Sequence, residues 1–260
     1  MSSNRLCLNA SKTQFIWLGD GQQLRKIDPQ AISADFPNFV FSKSVRNLGV
    51  VLDQELTFSE HLNLLCRACF FQLRQLRVIS RSLSPNAALT VVHAFVCSRI
   101  DYCSTIYAGL PLGRIAQVER VLRAAARLVG GFSKFDHISH YMRDVLHWLP
   151  VSQRIQFRIS VWVWRCQLGS APAYLREFCR PTSGLATRRN LRSASRGELA
   201  VPFARTSKMQ LRAFSVVEPS IWNNLPSDLR VLLAGDSAYT FYKNLKTVLY
   251  RRSWAGSASE

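Results

Sequence analysis

The spacing of hydrophobic residues along the chain changes near residue 58. Up to that point short apolar runs are separated by turn signals such as Gly19-Asp20-Gly21 and Phe36-Pro37-Asn38, a pattern typical of short strands and hairpins. From Ser59 onward apolar residues recur at three- and four-residue steps, which is the period of an amphipathic helix. The sequence therefore predicts an α+β fold that is predominantly α, with a short N-terminal β-hairpin region followed by a helical bundle.

The first two helices are placed by their buried stripes and start signals. The first runs for about twenty residues from Ser59, and its buried stripe consists of Leu62, Leu65, Cys69, Leu73, Leu76 and Ile79. Ser84-Pro85 predicts the start of the second helix, because serine caps a first turn and proline is tolerated in it. This helix is expected to bury Val92, Val96 and Ile100.

Glycines and prolines mark the ends of two further predicted helices. The third extends from Pro111 to Gly130-Gly131, and its buried residues are Ile115, Val118, Leu122, Ala125 and Val129. The fourth follows Pro150 and ends at Gly169, where glycine allows the chain to leave the helix. Its predicted core side consists of Ile155, Ile159, Trp162 and Cys166. Trp162 and Trp164 are both expected to lie in the core.

These elements divide the chain into three predicted parts. Residues 1–58 form the hairpin region and residues 59–150 a helical domain. Residues 151–260 form a C-terminal helical region, which includes the basic segment 180–212 and an apolar cluster around Trp222. The basic segment has low hydrophobic periodicity, so we expect it to be flexible and to become ordered on a polyanion.

Composition and charge narrow the classes of partner. The 260 residues are 48% hydrophobic and 19% charged, which predicts a folded protein. The 34 Lys and Arg residues against 16 Asp and Glu give a net charge of +18, which favours nucleic acid first and acidic membrane surfaces second. The apolar runs are shorter than the ~20 residues of a spanning helix, and the N-terminus lacks the apolar core of a secretion signal. We expect an intracellular protein, nuclear or cytoplasmic, with no membrane partner.

Arginines cluster on the polar faces of the first and third helices and in the basic segment. Rows of arginines suit contacts with phosphates, which are driven by charge and carry no sequence information; the alternative is a merely solvated helix face. The predicted nucleic-acid-binding residues are Arg67, Arg74, Arg77, Arg81, Arg120, Arg123, Arg127, Arg188, Arg189, Arg192 and Arg196.

The cysteines indicate neither a disulfide framework nor a metal site. Seven cysteines in a mid-sized chain are expected to be reduced core thiols. Cys66-Arg67-Ala68-Cys69 is a lone CxxC inside a helical pattern, and a zinc site needs a second pair of ligands. The sequence therefore predicts no metal site.

The N-terminal stretch has the pattern of a hairpin with one lysine at its turn. Leu6 and Leu8 alternate with polar or small residues, and Phe15 begins an aromatic-rich run after a polar break that contains Lys12. This is the pattern of a tight strand pair. By itself a turn lysine is usually a solvated charge.

Several short motifs follow one another in a specific order. They are Asn4-Arg5-Leu6 through Lys12-Thr13, Arg46-Asn47-Leu48-Gly49-Val50, Leu52-Asp53, Leu56-Thr57-Phe58, Asp101-Tyr102-Cys103, Tyr107-Ala108-Gly109-Leu110-Pro111, Leu146-His147-Trp148-Leu149-Pro150-Val151, Gln153-Arg154-Ile155, and Ala213-Phe214 through Pro219 to Trp222-Asn223-Asn224-Leu225-Pro226. In this order the chain resembles, nearly end to end, the C-terminal part of the reverse transcriptases of non-LTR retrotransposons, the LINE-type elements that include jockey-like mobile elements.

The resemblance implies the parts of a polymerase. Residues 1–58 would be a palm-edge remnant with Leu48-Gly49-Val50 in a primer-grip-like hairpin, and residues 59–150 a thumb-like domain that grips the primer–template duplex. Lys12 would be a vestigial catalytic residue, which in the intact enzyme protonates the departing pyrophosphate beside Mg²⁺. The implied partners are RNA, DNA or their hybrid.

The family's metal-binding aspartates precede the segment that matches Lys12, which lies eleven residues after Met1. The sequence contains no adjacent acidic pair, whereas two-metal phosphoryl transfer needs clustered carboxylates. We therefore expect a catalytically incomplete fragment of an RNA-directed DNA polymerase, encoded from within an ancestral polymerase gene and holding no cofactor itself. Two alternatives stay open: a helical protein-interaction module or unselected transposon relic, and an enzyme completed in trans by another polymerase fragment.

One position departs from the family pattern. Glu218 precedes Pro219 where relatives carry glycine. If that glycine has a positive φ, glutamate would strain the turn by about 1 kcal/mol.

Overall fold

A computed structural model describes most of the chain, namely residues 9, 13–28, 41–184, 197–204, 210–231 and 237–255. The chain divides into two compact units, residues 1–64 and 65–260. The described residues form one two-stranded antiparallel hairpin and are otherwise mainly helical, so the fold class is α+β and predominantly α, as predicted. The division into three parts at residues 58 and 150 stays a prediction.

The hairpin of the first unit consists of β1 (Ser44–Asn47) and β2 (Val50–Asp53). The two strands are antiparallel, with Asn47 opposite Val50 beside the turn. The turn residues Leu48 and Gly49 have φ values of +46° and +87°, the left-handed conformations that a tight two-residue hairpin turn requires. The predicted hairpin is therefore confirmed, and Leu48 lies at its exposed tip. Its primer-grip role stays a prediction.

The Gly19-Asp20-Gly21 sequence begins a helix rather than forming a simple turn. Helix α1 (Gly21–Leu24) starts after Asp20, whose Oδ1 accepts a hydrogen bond of 2.8 Å from the backbone N–H of Gln23. The Gln23 side chain accepts in return from the Asp20 N–H, which completes a capping box. The prediction of a turn was wrong here because the residues that favour turns also cap helices.

Nine further helices follow the hairpin in the described part of the chain. They are α2 (Ser59–Ile79), α3 (Pro85–Val92), α4 (Ser98–Asp101), α5 (Leu112–Gly130), α6 (Val151–Gln167), α7 (Ala173–Arg176), α8 (Phe214–Asn223), α9 (Ser227–Val231) and α10 (Ala238–Trp254). A single π-helical turn, His93–Cys97, joins α3 to α4. A second one, Tyr141–Val145, precedes α6.

Helix ends follow the predicted signals closely. The Ser84 side chain accepts a hydrogen bond from the backbone N–H of Ala87, and Pro85 opens α3. Helix α5 ends at Gly131 with φ +69°, and Gly169 after α6 has φ +71°. All five residues predicted to be buried on α5 are buried. Caps and stops are local in sequence, so a pattern can predict them.

Three residues predicted to be buried are not fully buried, and one of them, Leu65 on α2, is half-buried. Ile79 remains 48% exposed because α2 ends there and a 3₁₀ turn, Ser80–Ser82, changes the chain direction. On α6 Trp162 is only half-buried, whereas Trp164 is 4% exposed. The Trp164 ring stacks on Phe241 of α10 with centroids 4.8 Å apart. Helix α6 contacts α5, α8 and α10, so it buries more than one stripe.

Within the described residues no helix is both long and apolar enough to span a bilayer.

Candidate nucleic-acid interface

The arginines predicted on α2 share one solvent-facing side of that helix. Seven residues are close to two helical turns, so Arg67, Arg74 and Arg81 lie in one row, and Arg77 lies beside it. All four side chains are exposed. Cys69, Leu73 and Leu76 of the same helix are buried, so the arginines occupy the face that remains in contact with solvent.

Aromatic side chains lie between these arginines. Phe70 and Phe71 are 42% and 54% exposed, and Phe70 falls between Arg67 and Arg74 in helical spacing. These two rings were not among the predicted site residues. Their signal is that both lie outside the buried stripe, where a soluble helix normally places polar residues. Exposed rings between cations can contact sugars or stack on unpaired bases.

Two arginines outside α2 act electrostatically on its cysteines. Burial raises the pKa of the Cys66 thiol, and the exposed Arg120 of α5 opposes that rise as the smaller effect. Burial likewise raises the pKa of Cys69 to about 12, and Arg99 of α4 opposes that rise. Arg99 was not among the predicted site residues.

The other two predicted arginines of α5 contact groups within the fold. Arg123 forms an ion pair of 3.7 Å with Glu119, and Glu119 also accepts a hydrogen bond of 2.8 Å from the N–H of Val151, the first residue of α6. Arg127 donates through Nε and Nη2 to the carbonyl of Asp136, at 3.4 and 3.2 Å. These two arginines thus stabilise the surroundings of α5 and are less available to a ligand than Arg120.

Five predicted arginines form no ion pair with any carboxylate in the described part of the chain. They are Arg67, Arg74, Arg77, Arg81 and Arg120. We call this set, with Phe70 and Phe71, the arginine face. Because its positive charge is not neutralised by neighbouring acids, the arginine face can attract a polyanion.

Other predicted site residues lie outside the described residues. They are Lys12, Arg188, Arg189, Arg192 and Arg196. No group of three or more His, Cys, Asp or Glu side chains that could hold a metal ion occurs among the residues the structure describes. The Mg²⁺ implied by the family resemblance therefore finds no ligand set in this part of the chain.

The comparisons give no family for the chain: no protein-family model, curated protein or solved structure matches it.

Proposed function

We propose that this chain is a nucleic-acid-binding part of a non-LTR retrotransposon reverse transcriptase, which grips RNA, DNA or their hybrid through phosphates and does not polymerise by itself. The observation that supports the proposal is the arginine face. Its five arginines without an ion pair and its two exposed phenyl rings lie on α2 and, for Arg120, on α5. The net charge of +18 favours the same class of partner.

The physical basis of this binding is the release of counterions. Each phosphate neutralised by arginine frees condensed cations, and the logarithm of the binding constant falls with the logarithm of salt by roughly 0.9 per contact on a duplex. Contacts with phosphates do not distinguish base sequences. The arginine face is therefore expected to bind duplexes of different sequence with similar affinity.

Replacing Arg74, Arg77 and Arg81 with glutamine is expected to weaken binding and to make it less dependent on salt. Loss of three phosphate contacts should reduce the slope by roughly 2 to 3. The measurement is fluorescence anisotropy of a labelled RNA–DNA duplex titrated with protein at several salt concentrations. Far-UV circular dichroism should show unchanged helix content, because all three side chains are exposed.

A matched control removes the same charge elsewhere. Arg176, Lys243 and Arg251 are exposed on α7 and α10, and their replacement with glutamine lowers the net charge by the same three units. The slope of this control should stay closer to that of the unmodified protein. Equal losses in both triple variants would mean that net charge alone drives binding, which contradicts the assignment to α2. Affinity independent of salt would favour the protein-interaction alternative.

Primer extension tests the absence of polymerase activity. With a primer–template, nucleotides and Mg²⁺, the purified chain is expected to incorporate nothing, because its sequence has no adjacent acidic pair of the kind that helps to hold two cations. An intact reverse transcriptase provides the positive control. Mixing the chain with a fragment that carries the acidic motif tests completion in trans. Mg²⁺-dependent incorporation by the chain alone, lost in Lys12→Ala, would overturn the proposal.

A further inference from the structure

A cavity of about 710 Å³ opens in the second unit. Its walls come from His93 of the π-helical turn, α4, α6, α10 and the segment 146–149, none of which carries the arginine face. This volume falls in the usual range for small-ligand sites, roughly 300 to 1,000 Å³. The cavity is therefore large enough for a small molecule or for one unit of a polymer.

Three of the sequence motifs meet at this cavity, and one of them lies far from the other two in the chain. Asp101, Trp148 and Arg154 each come from a different motif, and all three line it. Arg154 connects them: its Nη1 donates to Asp101 at 3.2 Å, and its guanidinium lies 5.7 Å from the centre of the Trp148 ring. Its Nε also donates to the carbonyl of Leu149 at 2.8 Å. Arg154 is therefore a positioning residue that fixes the walls.

The cavity has an excess of positive charge. Asp101 is its single carboxylate among the described residues, and it is shared by Arg154 and Arg158, whose Nη2 lies 3.4 Å from it. Arg165 and Lys246 also line the cavity, so four cations face one anion. Arg158, Arg165 and Lys246 are exposed, which leaves them accessible to a ligand.

Aromatic surface accompanies these cations. Trp162 is half-buried and lines the cavity, with the Arg165 guanidinium 5.4 Å from its ring centre. Phe157 of the same helix also contributes to the wall. A half-exposed tryptophan beside cations is suited to stack on a flat ring that carries a negative group.

His147 supplies a separate observation. It lines the cavity with a φ of +50°, the left-handed region that costs a residue with a Cβ roughly 1 kcal/mol or more. Such backbone strain clusters at ligand sites. Here the strained residue lies beside Trp148 and directly lines the cationic cavity.

We propose that this cavity binds one nucleotide, with its phosphate held by Arg158, Arg165 and Lys246 and its base stacked on Trp162. A purely apolar ligand would leave Arg165 and Lys246 without an anion, and an acidic peptide would not use the aromatic wall. The nucleotide can be a free mononucleotide or an unpaired nucleotide of a bound strand. The inference goes beyond the proposed function and does not depend on it, because the two sites use different helices.

The test measures binding of adenosine 5′-monophosphate, adenosine, inorganic phosphate and a six-nucleotide oligodeoxyadenylate to the full chain by isothermal titration calorimetry. The monophosphate is expected to bind more tightly than adenosine or phosphate alone. Trp162→Leu should weaken it at least about fivefold through lost stacking. Trp162→Tyr should restore most of the affinity, because it keeps an aromatic face. Lys246→Gln should also weaken binding, whereas Lys243→Gln on the same helix should not.

The outcomes distinguish a free mononucleotide from a nucleotide of a strand, and the cavity from the arginine face. Tighter binding of the oligonucleotide than of the monophosphate, with the same sensitivity to Trp162→Leu, identifies a strand nucleotide as the ligand and supports the proposal. Phosphate binding as tightly as the monophosphate, or affinities unaffected by both cavity variants, would overturn it. The triple replacement of Arg74, Arg77 and Arg81 should leave monophosphate affinity unchanged, so failure at one site is distinguishable from failure at the other.

Discussion

Replacing Trp222 with alanine is expected to lower the free energy of unfolding by about 3 to 5 kcal/mol, the usual cost of removing a large aromatic side chain from a core. Trp222 is fully buried, at 0% exposure. Its ring centre lies 6.2 Å from that of Phe241, so the substitution leaves a cavity between α8 and α10. The indole N–H also donates a hydrogen bond of 2.9 Å to the carbonyl of Gly197, and alanine leaves that carbonyl without its donor.

Urea denaturation followed by far-UV circular dichroism measures this loss. Trp222→Phe keeps most of the packing and removes the hydrogen bond, so it should cost less, on the order of 1 to 2 kcal/mol. Tyr239→Ala is a control on α10, because Tyr239 is 73% exposed and its loss should change stability by no more than about 0.5 kcal/mol. A loss below about 1 kcal/mol for Trp222→Ala would contradict the packing described here.

The sequence predicted those parts of the fold that depend on local rules. Helix α5 is correct at both ends and along its buried stripe, because a proline, a glycine pair and one apolar period are all contained in about twenty residues. Helix α6 shows the limit of such rules. The spacing of its apolar residues identifies an amphipathic helix but does not show that several other helices cover it. The pattern therefore assigned Trp162 to the core, although this side chain is only half-buried.

The candidate sites likewise combine features that a local pattern predicts with features that depend on tertiary structure. The exposure of the α2 arginines follows from their position opposite the buried stripe, and the sequence predicted it. That Arg120 acts on the pKa of Cys66 depends on the tertiary arrangement of two helices, which no local pattern contains. The cavity was even harder to predict, since two of the residues that line it, Asp101 and Arg154, are 53 positions apart in the chain. The motifs indicated which residues belong together but not what they form.

At Glu218 the structure shows a different energetic cost from the backbone strain that the sequence suggested. The conditional strain at this position does not arise, because Glu218 lies inside α8 and is not among the residues with positive φ. Instead the side chain is completely buried, at 0% exposure. Its Oε2 accepts a long hydrogen bond of 3.6 Å from the Cys179 thiol, and Oε1 has no hydrogen-bond partner among the described residues. The cost is therefore desolvation rather than backbone strain.

Stability is expected to fall with rising pH because of this carboxyl group. Burial raises the pKa of Glu218 from 4.5 to about 9, and the Cys179 hydrogen bond offsets the rise only partly. Between these values the folded protein keeps a proton that the unfolded chain releases. The contribution of Glu218 to the free energy of unfolding should thus be greatest below pH 4.5, decrease by up to about 1.4 kcal/mol per pH unit, and level off above pH 9.

The variant Glu218→Gln isolates this contribution, because glutamine has a similar shape and does not ionise. Urea denaturation at pH 6 and pH 8 should show the variant gaining roughly 2 to 3 kcal/mol relative to the unmodified protein over those two units. Glu177→Gln serves as the control, since Glu177 is exposed and its replacement should give a difference independent of pH. A constant difference for Glu218→Gln would mean that the carboxyl group is ionised in the folded protein. It would then need a water or cation beside Oε1, because a buried anion without a partner is strongly destabilising.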